Sequence, residues 1–167
     1  MKLLSSLLLL FGLSIVLWGC PYKSDVGIDD TASIKIDKAL LGTWHKTYYP
    51  SDSTELSFTK STAQKYALNV TISDGESGYD SHHYTAWFSK VDKWQLMTLY
   101  DTEEKKFSFG EVELKNNQLS VKLLSEDITA DHFTTTADMK KFIESIYKEK
   151  KVLYDSDVDL TELVKDK

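Results

Sequence analysis

The sequence predicts a mainly β fold: an antiparallel up-and-down β-barrel of about eight strands with a C-terminal α-helix. Three observations carry this. From Leu40 onward, apolar residues return at every second position in run after run, the period at which one face of a strand is buried. Short clusters of Gly, Asn, Asp and charged residues separate the runs, which marks hairpin turns. Near Met139 the period changes once, to the spacing of a helix face.

Taken in order, the first strand carries Leu40, Gly42 and Trp44 on one face and Leu41, Thr43 and His45 on the other. After a turn over Tyr48 to Asp52, Leu56 and Phe58 repeat the alternation. Tyr66, Leu68, Val70 and Ile72 then face away from Lys65, Ala67, Asn69 and Thr71, the clearest half-buried strand in the chain. Past a turn at Asp74 to Gly78, Tyr84, Ala86 and Phe88 oppose Thr85, Trp87 and Ser89. A tight connection leads to Trp94, Leu96, Thr98 and Tyr100. Phe107 and Phe109 follow, and the apolar phase shifts to Val112 and Leu114 across Gly110, which predicts a β-bulge there. Asn116 and Asn117 suit the positive φ of a hairpin turn into Leu119, Val121 and Leu123. A short final strand is expected over Ile128 to Phe133.

Met139, Phe142, Ile143 and Ile146 share one helix face, Thr135 or Thr136 can cap its start, and Lys148, Lys150 and Lys151 crowd its end. Its stripe would pack on the outside of the barrel or over an open end. The remainder, Val152 to Lys167, reads as a short strand or an ordered tail.

Residues 1–19 read as an address: Lys2 supplies a positive start, and Leu3 to Trp18 is apolar except for Ser5, Ser6, Gly12 and Ser14. That run is shorter than the roughly 20 apolar residues of a membrane span and suits a secretory signal. Residues 20–39 read as Cys20 followed by a flexible tether of about 24 Å mean reach, with Ile34 and Ile36 able to form a short strand. Residues 40–167 form the barrel, helix and acidic tail.

Composition excludes several function classes. Cys20 is the only cysteine, so neither an internal disulfide nor Cys-ligated zinc is available. The net charge is −6, becoming −7 if Lys2 is removed with the signal. The chain contains no arginine. An acidic surface without the bidentate guanidinium fork makes nucleic acid an unfavourable partner.

Leu17-Trp18-Gly19-Cys20 resembles the lipobox of bacterial lipoproteins, with Trp18 standing where that family prefers a small residue. The resemblance implies lipidation of Cys20 (palmitate among its acyl chains) and membrane attachment, worth about 0.8 kcal/mol per buried CH₂. Pro21 replaces the Asp of an inner-membrane retention signal, which implies the outer membrane, on its periplasmic or surface face. Gly42-Thr43-Trp44, in a meander of about eight strands followed by a helix, resembles the lipocalin or calycin architecture. That family often stacks an arginine of the last strand over the Trp, and this chain has none.

These resemblances imply a non-enzymatic binding or interaction module of the cell envelope. The alternative is a carrier for a small hydrophobic ligand in the barrel mouth, with Trp44, Tyr66, Phe88 and Trp94 as lining. A third reading is an envelope protein partner docking on an exposed patch around Trp87, Tyr48 and Tyr49. An eight-stranded barrel holds either packed side chains or one small ligand, and the many alternating aromatics (Phe58, Tyr84, Phe107 and Phe109 among them) favour packing. No nucleophile elbow, zinc-helix motif or Gly-rich phosphate loop appears, so neither an enzyme nor a cofactor is expected. A metal site is not expected either. His82 and His83 are adjacent and point to opposite strand faces, with His45 and His132 elsewhere. Asp155 to Asp159 resembles the start of a calcium loop, but Leu160 stands where the sharp turn needs Gly.

Overall fold

The computed structural model describes residues 20–49, 52–75, 78–129, 131–156 and 160–166. Residues 1–19, expected to be a signal, the tip of the first turn and Asp157 to Asp159 of the acidic run lie outside them. Eight strands form a closed barrel in which each pairs antiparallel with its chain neighbours and the last returns to the first. They are β1 (Gly42–Tyr49), β2 (Asp52–Lys60), β3 (Tyr66–Asp74), β4 (Tyr79–Val91), β5 (Trp94–Asp101), β6 (Lys106–Lys115), β7 (Gln118–Leu123) and β8 (Leu160–Lys165). Among the described residues one α-helix, α1 (Thr136–Glu149), stands between β7 and β8. Among the described residues, no helix is long and apolar enough to cross a membrane.

The helix follows its sequence signals. Thr135 Oγ1 accepts the Asp138 N–H at 3.1 Å, and Lys150 ends the helix in the left-handed conformation at φ 56°. Met139, Ile143, Ile146 and Tyr147 are buried, so the apolar stripe faces the outer wall of the barrel, where it meets Val91, Leu96 and Phe109. Asn116 and Asn117 both hold positive φ, 52° and 62°, as a tight hairpin requires.

The closing strand differs from expectation. The described residues of Ile128 to Phe133 form no strand: a 3₁₀ turn over Glu126–Ile128 precedes them, and 131–133 are irregular. The eighth strand comes from the acidic tail. A step of two residues along β7, from Leu119 to Val121, matches a step of three along β8, from Leu163 to Leu160, and Glu162 takes φ 59°. The bulge therefore lies in β8, where the Glu162 N–H is received by Ser120 Oγ at 3.1 Å.

No bulge forms at Gly110. Met97 pairs with Gly110 and Gly110 with Leu123 without a register shift. The apolar phase moves because burial moves. Phe107 and Phe109 face an outer core beneath the helix, whereas Val112 faces the barrel interior. The same account corrects Trp94, which packs outside against Tyr147 with ring centroids 5.3 Å apart. Inside, β5 presents Met97 and Leu99. Alternation reveals two faces but does not say which is inner when both are covered.

Residues 20–40 are no tether, because they carry apolar side chains and backbone groups that find partners on the barrel. Pro21 bridges to Ser125 and Ser24 to Phe107. The Tyr22 N–H reaches the Leu124 carbonyl at 2.7 Å, and Ser24 exchanges two 2.8 Å bonds with Phe107. Ile28 is fully buried in the outer core. Asp29 pairs with Lys140 of the helix at 2.8 Å. Ile34 and Ile36 then pack against the interior cluster, and the Ile36 N–H bonds to Ala63 in the β2–β3 turn at 3.1 Å. A 3₁₀ turn over Lys38–Leu40 delivers the chain to β1. The segment is a strap that runs from one end of the barrel to the other.

Ile28→Ala tests the strap. Emptying a fully buried site should lower the unfolding free energy by about 2–5 kcal/mol in urea titrations. A change within about 0.5 kcal/mol would return the segment to a tether.

Candidate functional site

The two ends of the barrel are filled differently. At the end where β2 turns into β3, Trp44, Tyr66 and Phe88 are packed with Phe58 in the interior cluster. Phe58 and Tyr66 meet edge to face at 5.7 Å, and Tyr66 and Phe88 at 6.3 Å. Leu40 seals this end from the strap. The Trp44 indole N–H donates to its carbonyl at 2.9 Å. The Tyr66 hydroxyl accepts the Asp37 N–H at 2.6 Å and donates to the Asp37 carbonyl at 3.2 Å. Burial pushes the Tyr66 phenol above its ordinary pKa, so it stays a donor.

Lys165 completes this end. Its Nζ lies 5.1 Å from the Trp44 ring centroid and donates to the Ala39 carbonyl at 3.0 Å. Its stem passes Gly42 so closely that a Cβ there would meet Lys165 Cε at 2.9 Å, and Gly42 also takes φ 120°. The positive φ requires glycine, and the missing Cβ leaves room for the lysine stem where a larger residue would push it aside. The Gly-x-Trp spacing thus has a local cause: the glycine clears a path for a cation to reach the tryptophan two residues on.

The other half of the interior is not filled. A cavity of about 200 Å³ is lined by Leu56, Phe58, Leu68, Val70, Ile72, Met97, Leu99, Val121 and Leu160, among others. These are mostly slender aliphatic side chains, which leave room that aromatic rings at the closed end do not. The four residues expected as lining therefore stand elsewhere: Trp44, Tyr66 and Phe88 in the packed end, and Trp94 on the outside. The aliphatic residues of β3 were legible as one strand face. Met97 and Leu99 sit on the face of β5 that its aromatics hide. Pro21 and Lys23, which also line the cavity, have no local signal, because the strap brings them there.

The rim is polar and internally paired. Lys23 is paired with Glu104, and His82 Nε2 with Asp80 at 3.1 Å. Tyr84 stands between cavity and rim. Burial first, then the nearby carboxylates of Asp101, Glu104 and Asp80, push its phenol from 10.0 up to about 12. It is a protonated hydroxyl donor at the top of an apolar well.

The four histidines do not gather. His45 pairs with Asp166 at 2.6 Å, His83 bonds Asn69 at 2.8 Å, and His132 lies in a surface groove beside Cys20. Among the described residues, no three His, Cys, Asp or Glu side chains are grouped to hold a metal. Of the residues expected to form a patch for a protein partner, Trp87 is buried, in edge-to-face contact with Phe107 at 6.2 Å. Tyr48 is 37 % exposed, and the Tyr49 side chain lies outside the described residues. Compared with protein-family models, curated proteins and solved structures, the chain matches none.

The raised Tyr84 pKa sets a pH dependence. The folded state resists ionising this phenol, so its contribution is intact below pH 10.0 and is lost as pH rises through about 12. Tyr84→Phe should reduce the loss of stability over that range by about 1 kcal/mol, allowing for solvent screening. Urea midpoints of both proteins, taken below and above the range, measure it. Parallel losses would place Tyr84 in open solvent.

Proposed function

We propose that this protein is a lipid-anchored, lipocalin-like lipoprotein of the cell envelope that binds a small apolar ligand in its barrel without transforming it. The observation that supports this reading is the aliphatic cavity of about 200 Å³ in one half of the barrel. Its size selects a slender ligand, since pockets for drug-sized molecules run to roughly 300–1,000 Å³. Apolar walls with a polar rim suit a molecule that buries a hydrocarbon part and keeps a polar tip at the surface. The cation that the last strand lays over Trp44 supports the lipocalin-like part of the reading, since Lys165 takes the place where those barrels often carry an arginine.

Lipidation at Cys20 and placement in the outer membrane rest on Leu17-Trp18-Gly19-Cys20 and on Pro21 after it. The exposed Cys20 leaves room for acyl chains. With Cys20 modified and its carboxylates outnumbering its lysines, the protein's partners are the membrane and its ligand rather than nucleic acid.

Two experiments test the proposal. Native mass spectrometry of the full chain, produced in a bacterial host, should show a retained apolar mass that is released on denaturation. Leu99→Trp, which fills the cavity, should lose that mass while the fold remains intact by circular dichroism. Equal retention by both proteins would move the ligand out of the barrel. For the anchor, cells fed an alkyne analogue of palmitate should label the native chain, and Cys20→Ala should abolish the label. Undiminished labelling of the variant would refute the lipobox reading.

A further inference from the structure

The cavity has a direction, and the strap sets it. Chain ends and turns divide the barrel into two ends: the β2–β3 turn lies at the closed one, and the β5–β6 turn and the exit from β7 at the open one. The strap begins at the open end. The Glu126 N–H donates to the Cys20 carbonyl at 2.9 Å, and Pro21 bridges to Ser125 just beyond β7. The next residues, Pro21 and Lys23, line the cavity itself. Neighbouring Cα atoms lie about 3.8 Å apart, so the lipid attachment point sits one residue from the rim. Nothing between them acts as a spacer.

We propose that lipidated Cys20 holds the open end of the barrel against the membrane surface, and that the cavity takes an acyl chain directly from the lipid phase. This rests on the reading above, that Cys20 is lipidated and the cavity binds an apolar ligand. A flexible tether would let the barrel turn freely about 24 Å away. A strap bonded to β6 and to the chain just past β7 fixes which end approaches. The opposite end cannot admit a chain, because Leu40, Ile34 and Ile36 of the same strap pack over it. The occupant is a single hydrocarbon chain, because the space is only about 200 Å³ and most of its lining is aliphatic. At the rim, Lys23 is paired with Glu104 and His82 with Asp80, and Asp101 stands nearby, so the lysine is already engaged and carboxylates outnumber it, which disfavours an anionic head. Tyr84 supplies the hydroxyl at the boundary. The chain belongs either to a bilayer lipid or to the acyl group on Cys20 itself, which lies close enough to fold back.

The test uses the full chain, lipidated in a bacterial host and reconstituted in vesicles of phosphatidylethanolamine and phosphatidylglycerol. With Cys20 blocked by lipid, a fluorophore is placed on Thr102→Cys in the β5–β6 turn, or on Ser61→Cys in the β2–β3 turn. Nitroxide-labelled lipid should quench the first at least threefold more than the second. Equal quenching, or the reverse order, would overturn the orientation even if native mass spectrometry still finds a small apolar ligand in the barrel. For the occupant, a diazirine-bearing acyl phospholipid in the vesicles should crosslink to the Met97–Leu99 segment, and Leu99→Trp should remove the adduct. If the diazirine instead reaches that segment only when carried on the Cys20 acyl group, the chain is the protein's own. Adducts confined to the outer surface in both arms would show that no acyl chain enters. In that case the cavity's ligand is of another kind.

Discussion

The clamp at Trp44 is the interaction on which the rest of the architecture depends. A barrel closes only if its first and last strands meet, and among the described residues that seam pairs Trp44 with Lys165 and His45 with Val164. So short a ladder needs help. Lys165 provides it by lying over the Trp44 ring and bonding back to Ala39, while the Asp166 N–H reaches the Thr43 carbonyl at 3.0 Å. A cation over an indole in a partly desolvated site contributes about 0.5–2 kcal/mol. The same tryptophan holds the Leu40 carbonyl, so seam and plug form one unit. Gly42 makes both possible by leaving space for the lysine stem.

From that closed end the molecule is built as two cores sharing one sheet. The inner core fills half the barrel, and the outer core lies between the far faces of β4 to β6, the helix and the strap. Strands buried on both faces lose the apolar–polar alternation that marks a one-sided sheet. Trp87, Trp94, Phe107 and Phe109 all belong to the outer side. Removing these large rings from the interior leaves the space that becomes the cavity. Ring size, and not strand number alone, therefore separates the solid end from the open one.

The strap links this packing to the proposed role. It plugs one end with Ile34, Ile36 and Leu40, buries Ile28 along the wall and lays Pro21 and Lys23 at the other end. One segment thus closes the base, braces the helix through Asp29 and Lys140, and places Cys20, the proposed attachment point, beside the mouth. In the proposed role, structure and attachment are coupled because the same backbone serves both.

The sequence by itself determined the elements. Period-two runs located seven of the eight strands, Thr135 and the stripe from Met139 to Ile146 located the helix, and Asn116-Asn117 located a turn, because these signals are local backbone and burial preferences. Gly42 and Trp44 were legible as a pair, although their lysine partner lies far along the chain. Only the tertiary structure decided which strand face is inside, since covering the outer face of β4 to β6 takes a helix and a strap from distant segments. It also decided that the acidic tail supplies β8, because too few apolar residues remain there for a clear pattern and pairing comes from open edges on β7 and β1. The cavity was the least legible feature. A cavity is the volume that distant side chains fail to fill, and no single stretch of sequence records what its neighbours leave empty.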